Sequence, residues 1–578
     1  MGAALHQVTS GPASGRRLRS VVLTVVVLGL LTPIAAGLWQ TGRAAFGILP
    51  AIGAIDASLS PWGGLLALPG LSTAIRLSLF TGLAATGLSL VLAVGFCAAV
   101  HGRMSRQVGA RMLTPFLAAP HAAIAIGLAF VLAPSGWIAR MLAMPLGWDR
   151  PPDLSSVNDP WGIALVVGLM VKEVPFLLLV ILAALTQIPV RAQMAAGRAL
   201  GYGRGLVWVK IVMPQVWPLI RLPVLVVLAY SLSVVDMALI LGPSNPPTLA
   251  VLLTRLYSDP DIGLILPASA GAILQLVLVV QAFGLLWLAE RLVARLGLVW
   301  LRRGGRGTST EPLLHLATGA TLALLAVGAL AMLSLAVWSL AWRWTWPAPL
   351  PESWSLKAWA TPSSGWARAL ANTAALAITS TALCLVLAIA WLEGEDRAHM
   401  PRARWAKGLI YLPLLIPQIS FLFGMNVLVL RSGLQLGFWT VVWAQSLFVF
   451  PYVMIALSDP WRARDTRLDR TAAALGAGPW RRLIRVKLPV LLAPVCTAAA
   501  IGVAVSVAQY LPTLFLGAGR IVTLTTEAVT LSSSSDRRVV GVYGSLQAAL
   551  PFLAYALAFF IPAALHRNRR DLRGEAFT

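Results

Sequence analysis

Apolar stretches long enough to cross a lipid bilayer recur along the whole chain. A helix of about 20 apolar residues spans the ~30 Å hydrocarbon core, and residues 20–39, 77–100, 217–241 and 316–340 are stretches of this kind. Of the 578 residues, 58% are hydrophobic and only 11% are charged, whereas a soluble domain carries about 25% charged residues. The sequence therefore predicts an all-α polytopic membrane protein.

The distribution of basic residues orients the predicted spans. With a cytoplasmic N-terminus, the inner segments hold 31 Lys and Arg and the outer loops hold 11. This asymmetry is the positive-inside pattern. It accounts for the net charge of +24 without a nucleic-acid partner, and it predicts a multi-pass protein of the bacterial inner (cell) membrane with both termini cytoplasmic. Twelve spans can be drawn, at residues 20–39, 73–100, 112–133, 161–187, 217–241, 264–289, 313–342, 369–392, 408–430, 438–458, 490–516 and 542–565.

The first span and the three cysteines each resemble a feature that the sequence argues against. Basic residues precede the first span, as in a signal peptide, but its apolar run is too long for one, so we expect a retained anchor. Cys97, Cys384 and Cys496 all lie inside predicted spans. Their spacing excludes a metal cluster, and we expect packing residues and no metal site.

The two halves of the chain repeat one another. Aligning Gly201 with Gly476 gives an offset of 275 residues, which also pairs Pro214 with Pro489. Six spans in each half give both halves the same orientation, so the repeats are parallel. We predict a cytoplasmic tail at 1–18, a first domain at 19–290, a Gly- and Arg-rich cytoplasmic linker at 291–312, a second domain at 313–566 and a cytoplasmic tail at 567–578.

Two repeated inner loops, at 191–214 and 462–489, carry the most specific motif. They resemble the EAA loops of ABC importer permeases, whose pattern is Glu-Ala-Ala, three residues, Gly, nine residues, Ile, one residue and Leu-Pro. The Glu is absent from both loops, where Ala195 and Arg470 stand. The residues that match are Ala196, Gly201, Ile211 and Pro214 in the first loop and Ala472, Gly476, Val486 and Pro489 in the second.

The residue types in these loops fit a docking element. Small residues form a helix with a thin face that another protein can approach closely, and Gly tolerates the left-handed conformation that ends a helix. The resemblance implies two parallel six-helix MetI-like permease repeats in which each loop couples to an ATPase. Arg470 lies in a basic stretch and is expected to face an acidic rim of that ATPase or anionic membrane lipid.

The energy source and the solute carrier are expected on separate subunits. The sequence contains no G-x-x-x-x-G-K-[ST] motif, so ATP is expected to bind to partner ATPase subunits that form a homodimer, and the chain needs no cofactor and is no enzyme. The fused two-domain form resembles the permeases of thiamine and iron(III) importers. This resemblance implies a periplasmic or extracellular solute-binding protein, with thiamine or a related small cation as the first expectation for the substrate and iron(III) as the second.

Ionisable residues at membrane depth are candidates for the translocation path, because they are costly there. The candidates are Lys172, Glu173 and Asp236, with Gln509 beside the second-half counterpart of Asp236. The alternative is a structural bridge between helices, for example from Lys172 to Asp236. Two further segments, 242–261 and 517–536, are too short to span and are expected to dip into the membrane or lie across its outer surface, facing the binding protein.

The strongest alternative function is a 6+6 secondary transporter driven by an ion gradient. It explains twelve spans and parallel repeats, and membrane carboxylates are suited to carrying protons. It does not explain two EAA-like loops at matching positions. The G-x-x-x-D-R-x-G-R motif common in such transporters is also absent from the sequence.

Overall fold

The computed structural model describes residues 12–102, 113, 115–306, 310–360, 365–398, 404–533 and 536–567. Most of the predicted tails, residues 307–309 of the predicted linker and residues 112 and 114 of the third predicted span lie outside this part. The helices of the first half are α1 (Pro12–Val26), α2 (Thr32–Ala45), α3 (Ser60–Leu66), α4 (Leu71–Val100), α5 (His121–Leu132), α6 (Trp137–Leu146), α7 (Ile163–Ala184), α8 (Val190–Ala199), α9 (Arg204–Val207), α10 (Met213–Ser233), α11 (Asp236–Leu241), α12 (Leu249–Tyr257) and α13 (Ile265–Arg302).

The second half repeats this order and adds a small hairpin, in which β1 (Ala341–Arg343) pairs antiparallel with β2 (Ser353–Trp354). Its helices are α14 (Glu311–Leu340), α15 (Lys357–Ala360), α16 (Trp366–Ala398), α17 (Arg404–Leu415), α18 (Ile419–Arg431), α19 (Phe438–Ala463), α20 (Thr466–Ala474), α21 (Pro479–Arg482), α22 (Leu488–Val490), α23 (Leu492–Val507), α24 (Leu511–Gly517), α25 (Leu524–Leu531) and α26 (Arg537–Leu565).

The number of spans agrees with the sequence prediction once bent helices are taken into account. In the described residues, ten helices are long and apolar enough to cross a membrane, and there are twelve if two sharply bent pairs each count as one span. The bent pairs are Gly408–Leu415 with Ile419–Arg431, at 96°, and Pro479–Val490 with Leu492–Val507, at 78°. The predicted all-α membrane fold is confirmed.

Three predicted features of the span pattern differ from the structure. The fifth predicted span, 217–241, is not one helix: α10 ends at Ser233, and α11 begins at Asp236 after an extended residue, Val234. The eleventh is interrupted at the matching place, between Val507 and Leu511. In the first half, Asp236 is the first residue of α11, and an acidic side chain is favourable at the start of a helix.

The third difference lies in the predicted linker. Helix α13 continues to Arg302, and so passes through the first part of the segment 291–312. Leu, Val and Arg predominate there, with one isolated Gly297 and no Pro, and consecutive glycines follow only at Gly304 and Gly305. The irregular connection between the halves is therefore shorter than the sequence suggested.

The first span of each half packs against the other half. α1 and α2 lie against α16 and α18, whereas α14 lies against α4 and α5; α2 also packs on α13 of its own half, and α14 on α26 of its own half. Two crossings of small residues at matching positions allow this close approach: Gly424 of α18 touches Gly37 of α2, and Gly127 of α5 touches Ala331 of α14. Small residues let the backbones of membrane helices come together in this way. The sequence repeat gives units of sequence, but in the packing each half exchanges its first span with the other.

Three tryptophans near a span end of the second half form a cluster around a cation. The Arg140 guanidinium is buried and lies 5.0 Å from the ring centroid of Trp344, 5.6 Å from that of Trp346 and 6.0 Å from that of Trp338. It also donates hydrogen bonds to backbone carbonyls, including that of Thr345 at 2.7 Å. Arg140 thereby attaches the hairpin region of the second half to α6 of the first.

Candidate functional site

The first repeated loop is a short helix followed by a tight reversal. Helix α8 ends next to Gly201, whose φ of +81° is left-handed. The reversal is closed by a hydrogen bond from the Tyr202 N–H to the Gly197 carbonyl oxygen, at 3.1 Å. Gly197 is buried against Val207, so an Ala at this position would collide with the returning chain. This contact explains why Gly replaces one of the expected alanines.

The second repeated loop has the same geometry. Helix α20 starts after Asp465, whose carboxylate accepts the N–H of Arg467, and the chain reverses at Gly476, whose φ is +80°. The Ala477 N–H donates to the Ala472 carbonyl oxygen at 3.0 Å, as its counterpart does in the first loop. The left-handed glycines predicted at 201 and 476 are therefore present.

The segments that return from both loops to the membrane also match. A π-helical turn covers Trp208–Val212 in the first loop and Leu483–Lys487 in the second. Pro214 and Pro489 lie in the first turn of the helix that follows, where a missing backbone N–H costs least. Ile211 and Val486 are each half-buried within these π turns.

Both loops present exposed surface at the reversal. Ala195, Ala196 and Gly201 are exposed on the first loop, and Arg470 and Gly476 on the second, while Ala472 is half-buried. Leu200, next to Gly201, is 60% exposed, and Leu475, next to Gly476, is 83% exposed. Both leucines are therefore accessible to another protein.

The two loops are anchored to the bundle by different chemistry, which the sequence analysis missed. In the first half, the Arg204 guanidinium donates to the carbonyl oxygens of Ala98, at 2.5 Å, and His101, at 2.6 Å. In the second half, Lys487 is buried among carboxylates of α16 and α20. The acidic run at 393–396, in an otherwise basic set of inner segments, was the available signal.

The predicted linker also contacts the first loop. The Lys210 ammonium is buried, donates to the carbonyl oxygen of Gly305 at 3.0 Å, and lies 4.4 Å from the ring centroid of Trp300. The side chain of Arg306 lies beside Gly201, whereas Gly476 has open space around it. The two loop tips are therefore not equivalent.

Lys172 does not form the predicted bridge to Asp236. Its ammonium instead donates to the carbonyl oxygens of Phe116, Leu117 and Ala119, at 2.9, 3.2 and 2.7 Å. These carbonyls lie at the break before Pro120, which has no N–H to offer to the preceding turn. Lys172 therefore satisfies the main chain at a helix break.

Glu173 is buried between two helices of the first half. The hydroxyl of Ser231, on α10, donates to one of its carboxylate oxygens, and Ser89, on α4, is the other hydroxyl beside it. This position connects α7 with α10 and α4. The position of Glu173 therefore fits the structural alternative, a contact that joins these helices.

Asp236 lies close to the contact between the two halves. The Tyr230 hydroxyl donates to its carboxylate at 3.5 Å, and Tyr510 of the second half is near enough to interact electrostatically with it. Tyr510 and Gln509 lie in the helix interruption that matches the one before Asp236, so the two interruptions bring polar residues of both halves towards each other. Asp236 also interacts electrostatically with Lys172, and Tyr230 interacts with both Asp236 and Glu173. The three ionisable candidates of the first half therefore lie near one another, although their hydrogen-bond partners differ.

The two short segments near the opposite side of the membrane are embedded in the bundle. α12 and α25 begin with N–H groups of Leu249 and Leu524 that donate to Ser78, at 2.8 Å, and Thr373, at 2.9 Å, at matching positions of α4 and α16. Leu249 and Leu524 are fully buried. These helices dip into the protein and do not lie across its surface, which removes one of the two predicted placements.

Comparisons with known proteins agree with this architecture. Residues 398–569 match the family described as binding-protein-dependent transport system inner membrane component. Inner membrane ABC transporter permease protein YnjC of Escherichia coli is 33% identical over 522 residues, which cover 89% of this chain and 93% of that protein.

Shorter relatives match part of the chain. Molybdenum transport system permease protein ModB of Mycobacterium tuberculosis is 33% identical over 188 residues, 30% of this chain and 70% of its own length. Spermidine/putrescine transport system permease protein PotC of Escherichia coli is 26% identical over 88 residues, 15% of this chain and 33% of its own length. Together with the full-length relative and the duplicated fold, these similarities establish that the chain belongs to the family of ABC importer permeases, the membrane components of binding-protein-dependent transport systems.

Proposed function

We propose that this permease forms the translocation path of an importer and that a separate ATPase, a homodimer, drives it through the loop tips at α8 and α20. The main support is the duplicated loop geometry, with a left-handed glycine and an exposed leucine at each tip. A thin helix that ends in a tight reversal offers a rigid projection that fits a cleft in another protein. On this proposal the loops and both termini face the cytoplasm of a bacterial cell, and a solute-binding protein delivers the solute on the opposite side.

We propose further that the solute is a small cation, with thiamine or a related organic cation first and iron(III) second. Molybdenum and the polyamines spermidine and putrescine are named for the two shorter relatives, and 2-aminoethylphosphonate is named for a third permease, from Salmonella typhimurium. These names do not select one charge of the solute. The support comes from Asp236, a carboxylate near the contact between the halves, which accepts from the Tyr230 hydroxyl and interacts electrostatically with Tyr510 and Lys172. Carboxylates and aromatic faces both attract cations.

The coupling proposal is tested by purifying the tagged chain from native membranes and identifying the proteins that accompany it. The expected companion contains G-x-x-x-x-G-K-[ST] and hydrolyses ATP. In proteoliposomes that contain both subunits and the binding protein, uptake should require ATP, stop with vanadate and persist with a protonophore. Uptake by the chain alone, driven by a proton gradient, would instead establish the secondary transporter.

The substrate proposal is tested in the same proteoliposomes with radiolabelled thiamine and with iron(III). ATP-dependent accumulation of either solute supports a cationic substrate and chooses between the two. Accumulation of molybdate or another oxyanion, with neither cation taken up, would overturn it.

A further inference from the structure

A buried network of ion pairs connects the second loop to the membrane bundle. The Lys487 ammonium, only 5% exposed, lies 2.6 Å from a carboxylate oxygen of Glu393, 2.9 Å from Asp396 and 3.2 Å from Asp469. Glu393 and Asp396 belong to the end of α16, whereas Asp469 belongs to α20. One cation thus joins the span, the loop helix and the returning π turn.

The surrounding charges complete the network. Arg464 pairs with Asp396 and lies 3.5 Å from Asp469, and the Trp461 indole N–H donates to Asp396 at 3.1 Å. The network contains three carboxylates and three cations, which are Glu393, Asp396 and Asp469 with Arg397, Arg464 and Lys487. Glu395 and Arg462 form a separate ion pair. Because the charges balance, each buried ion has a partner, which is the condition under which buried ions are tolerated.

The first half lacks this network at matching positions. The offset of 295 residues that relates the second spans of the halves pairs Glu393 with Ala98 and Asp396 with His101. There, the backbone carbonyls of Ala98 and His101 bind Arg204. The same two places on the span therefore hold both loops: carbonyl oxygens bind Arg204 in the first half, whereas in the second half carboxylates of the span and of the loop helix bind Lys487.

We propose that Lys487 is a positioning residue for coupling, which fixes α20 to the inner end of α16 so that displacement of α20 by the ATPase must move this span. The inference rests on the proposed function, since it takes α20 as the contact of the ATPase. Arg470 and the tip residue Leu475 remain exposed. The network therefore leaves the docking surface free while it holds the opposite side of the helix.

The test measures the mobility of α20 in the full chain and its coupling in the assembled importer. Lys487→Met should increase amide hydrogen exchange across 466–474 several-fold and leave exchange across 190–199, in the other loop, unchanged. The assembled importer should retain its ATPase but hydrolyse several-fold more ATP for each solute molecule taken up. Lys487→Arg keeps the charge and should restore most of the coupling.

The matched control is Arg485→Met, which removes the same charge from an exposed position in the same π turn. It should leave both measurements as in the parent chain. If Lys487→Met fails to accumulate in membranes, Lys487→Met with Glu393→Gln removes one charge of each sign and takes its place. The comparison uses whichever of the two Lys487 variants accumulates. If its hydrogen exchange and its ATP use per solute molecule equal those of Arg485→Met, the inference is overturned.

A third variant separates this inference from the proposed function. Leu475→Asp places a charge at the exposed tip and should release the ATPase without changing the exchange of α20. If Leu475→Asp keeps the ATPase and full uptake, the docking proposal itself is wrong. If it releases the ATPase while Lys487→Met behaves like the control, only the role of the network is wrong.

Discussion

Lys172 satisfies carbonyl groups of Phe116, Leu117 and Ala119 that the break at Pro120 leaves without helical partners. The second half has the same break before Pro417, yet Phe448 takes the place of the lysine and packs against Phe421. The sequence revealed a costly charge at membrane depth, but not its acceptors. Backbone carbonyls at a break have no side-chain signature, so a carboxylate was the partner that the residue types suggested.

Replacing this lysine should therefore destabilise the protein whether or not Asp236 is present. Lys172→Met removes the donor and leaves buried carbonyls unsatisfied, which costs about 1–3 kcal/mol. A lower melting temperature of the tagged protein in detergent, measured by size-exclusion after heating, checks this. In the Asp236→Asn background the loss should be equally large; a smaller loss there would indicate an ion pair between the two residues.

Asp236 and Glu173 should respond differently to loss of charge. Asp236→Asn keeps the shape beside Tyr230, and uptake of a cation should fall by about tenfold or more, the effect of ~1.4 kcal/mol of lost solute binding. Stability and ATP hydrolysis should stay near those of the parent. Glu173→Gln retains an oxygen that accepts from Ser231, so uptake should change little.

Uptake and melting temperature, measured on both variants, distinguish these roles. Loss of Asp236→Asn from the membrane would assign that carboxylate to the fold. Full stability with abolished uptake in Glu173→Gln would place Glu173 in the path as well. A doubly neutral variant that behaves like Asp236→Asn alone would agree with the separate roles.

At the scale of elements, the two repeated loops were the best predicted part of the molecule. The spacing from a small-residue helix to Gly and on to Pro fixes a helix, a reversal and a return, because each step depends on a local backbone preference. The interruptions after Ser233 and Val507 were not predicted. Both occur in mostly apolar sequence that contains Asp236 or Gln509, and hydropathy reports burial in the membrane but not helix continuity.

The glycine at each reversal should be required for its backbone conformation and not for space. A Cβ at Gly476 would meet no atom within 4 Å, but its φ of +80° strains any L-residue. Gly476→Val should therefore cost on the order of 1 kcal/mol or more and shift α20, lowering ATPase retention and uptake while the chain still inserts.

Gly478 supplies the matched control, two residues further on. It has equally open surroundings but an ordinary extended conformation, with φ of −64°. Gly478→Val should retain the ATPase in co-purification and support uptake at the parent rate. Equal behaviour of the two variants, in either direction, would remove the reversal from the coupling mechanism.

At the scale of the whole molecule, the sequence predicted the duplication but not the exchange of the first spans between the halves. The offsets between halves arise from sequence and need no knowledge of contacts. Which half a span packs against depends on the crossing of Gly37 with Gly424 and of Gly127 with Ala331, and these pairs are hundreds of residues apart. A small residue in an apolar span indicates that some helix approaches closely, but it does not identify that helix.

The exchange makes a prediction that two glycines of α2 can test. Gly37 faces the backbone of α18 at Phe421, whereas Gly42, on the same helix, has nothing within 4 Å. Gly37→Val inserts a branched side chain into a contact between two backbones, where overpacking costs typically 1–3 kcal/mol and a backbone has little freedom to move aside. Gly42→Val adds the same groups to open space, so the melting temperature should fall only for the first variant.

Because α2 belongs to the first half and α18 to the second, Gly37→Val should also loosen the halves from each other. When the chain is divided within 307–309 and the two parts are produced together, Gly42→Val should leave them co-purifying and Gly37→Val should separate them. Co-purification of the divided Gly37→Val protein at the parent level would show that the exchanged spans do not hold the halves together.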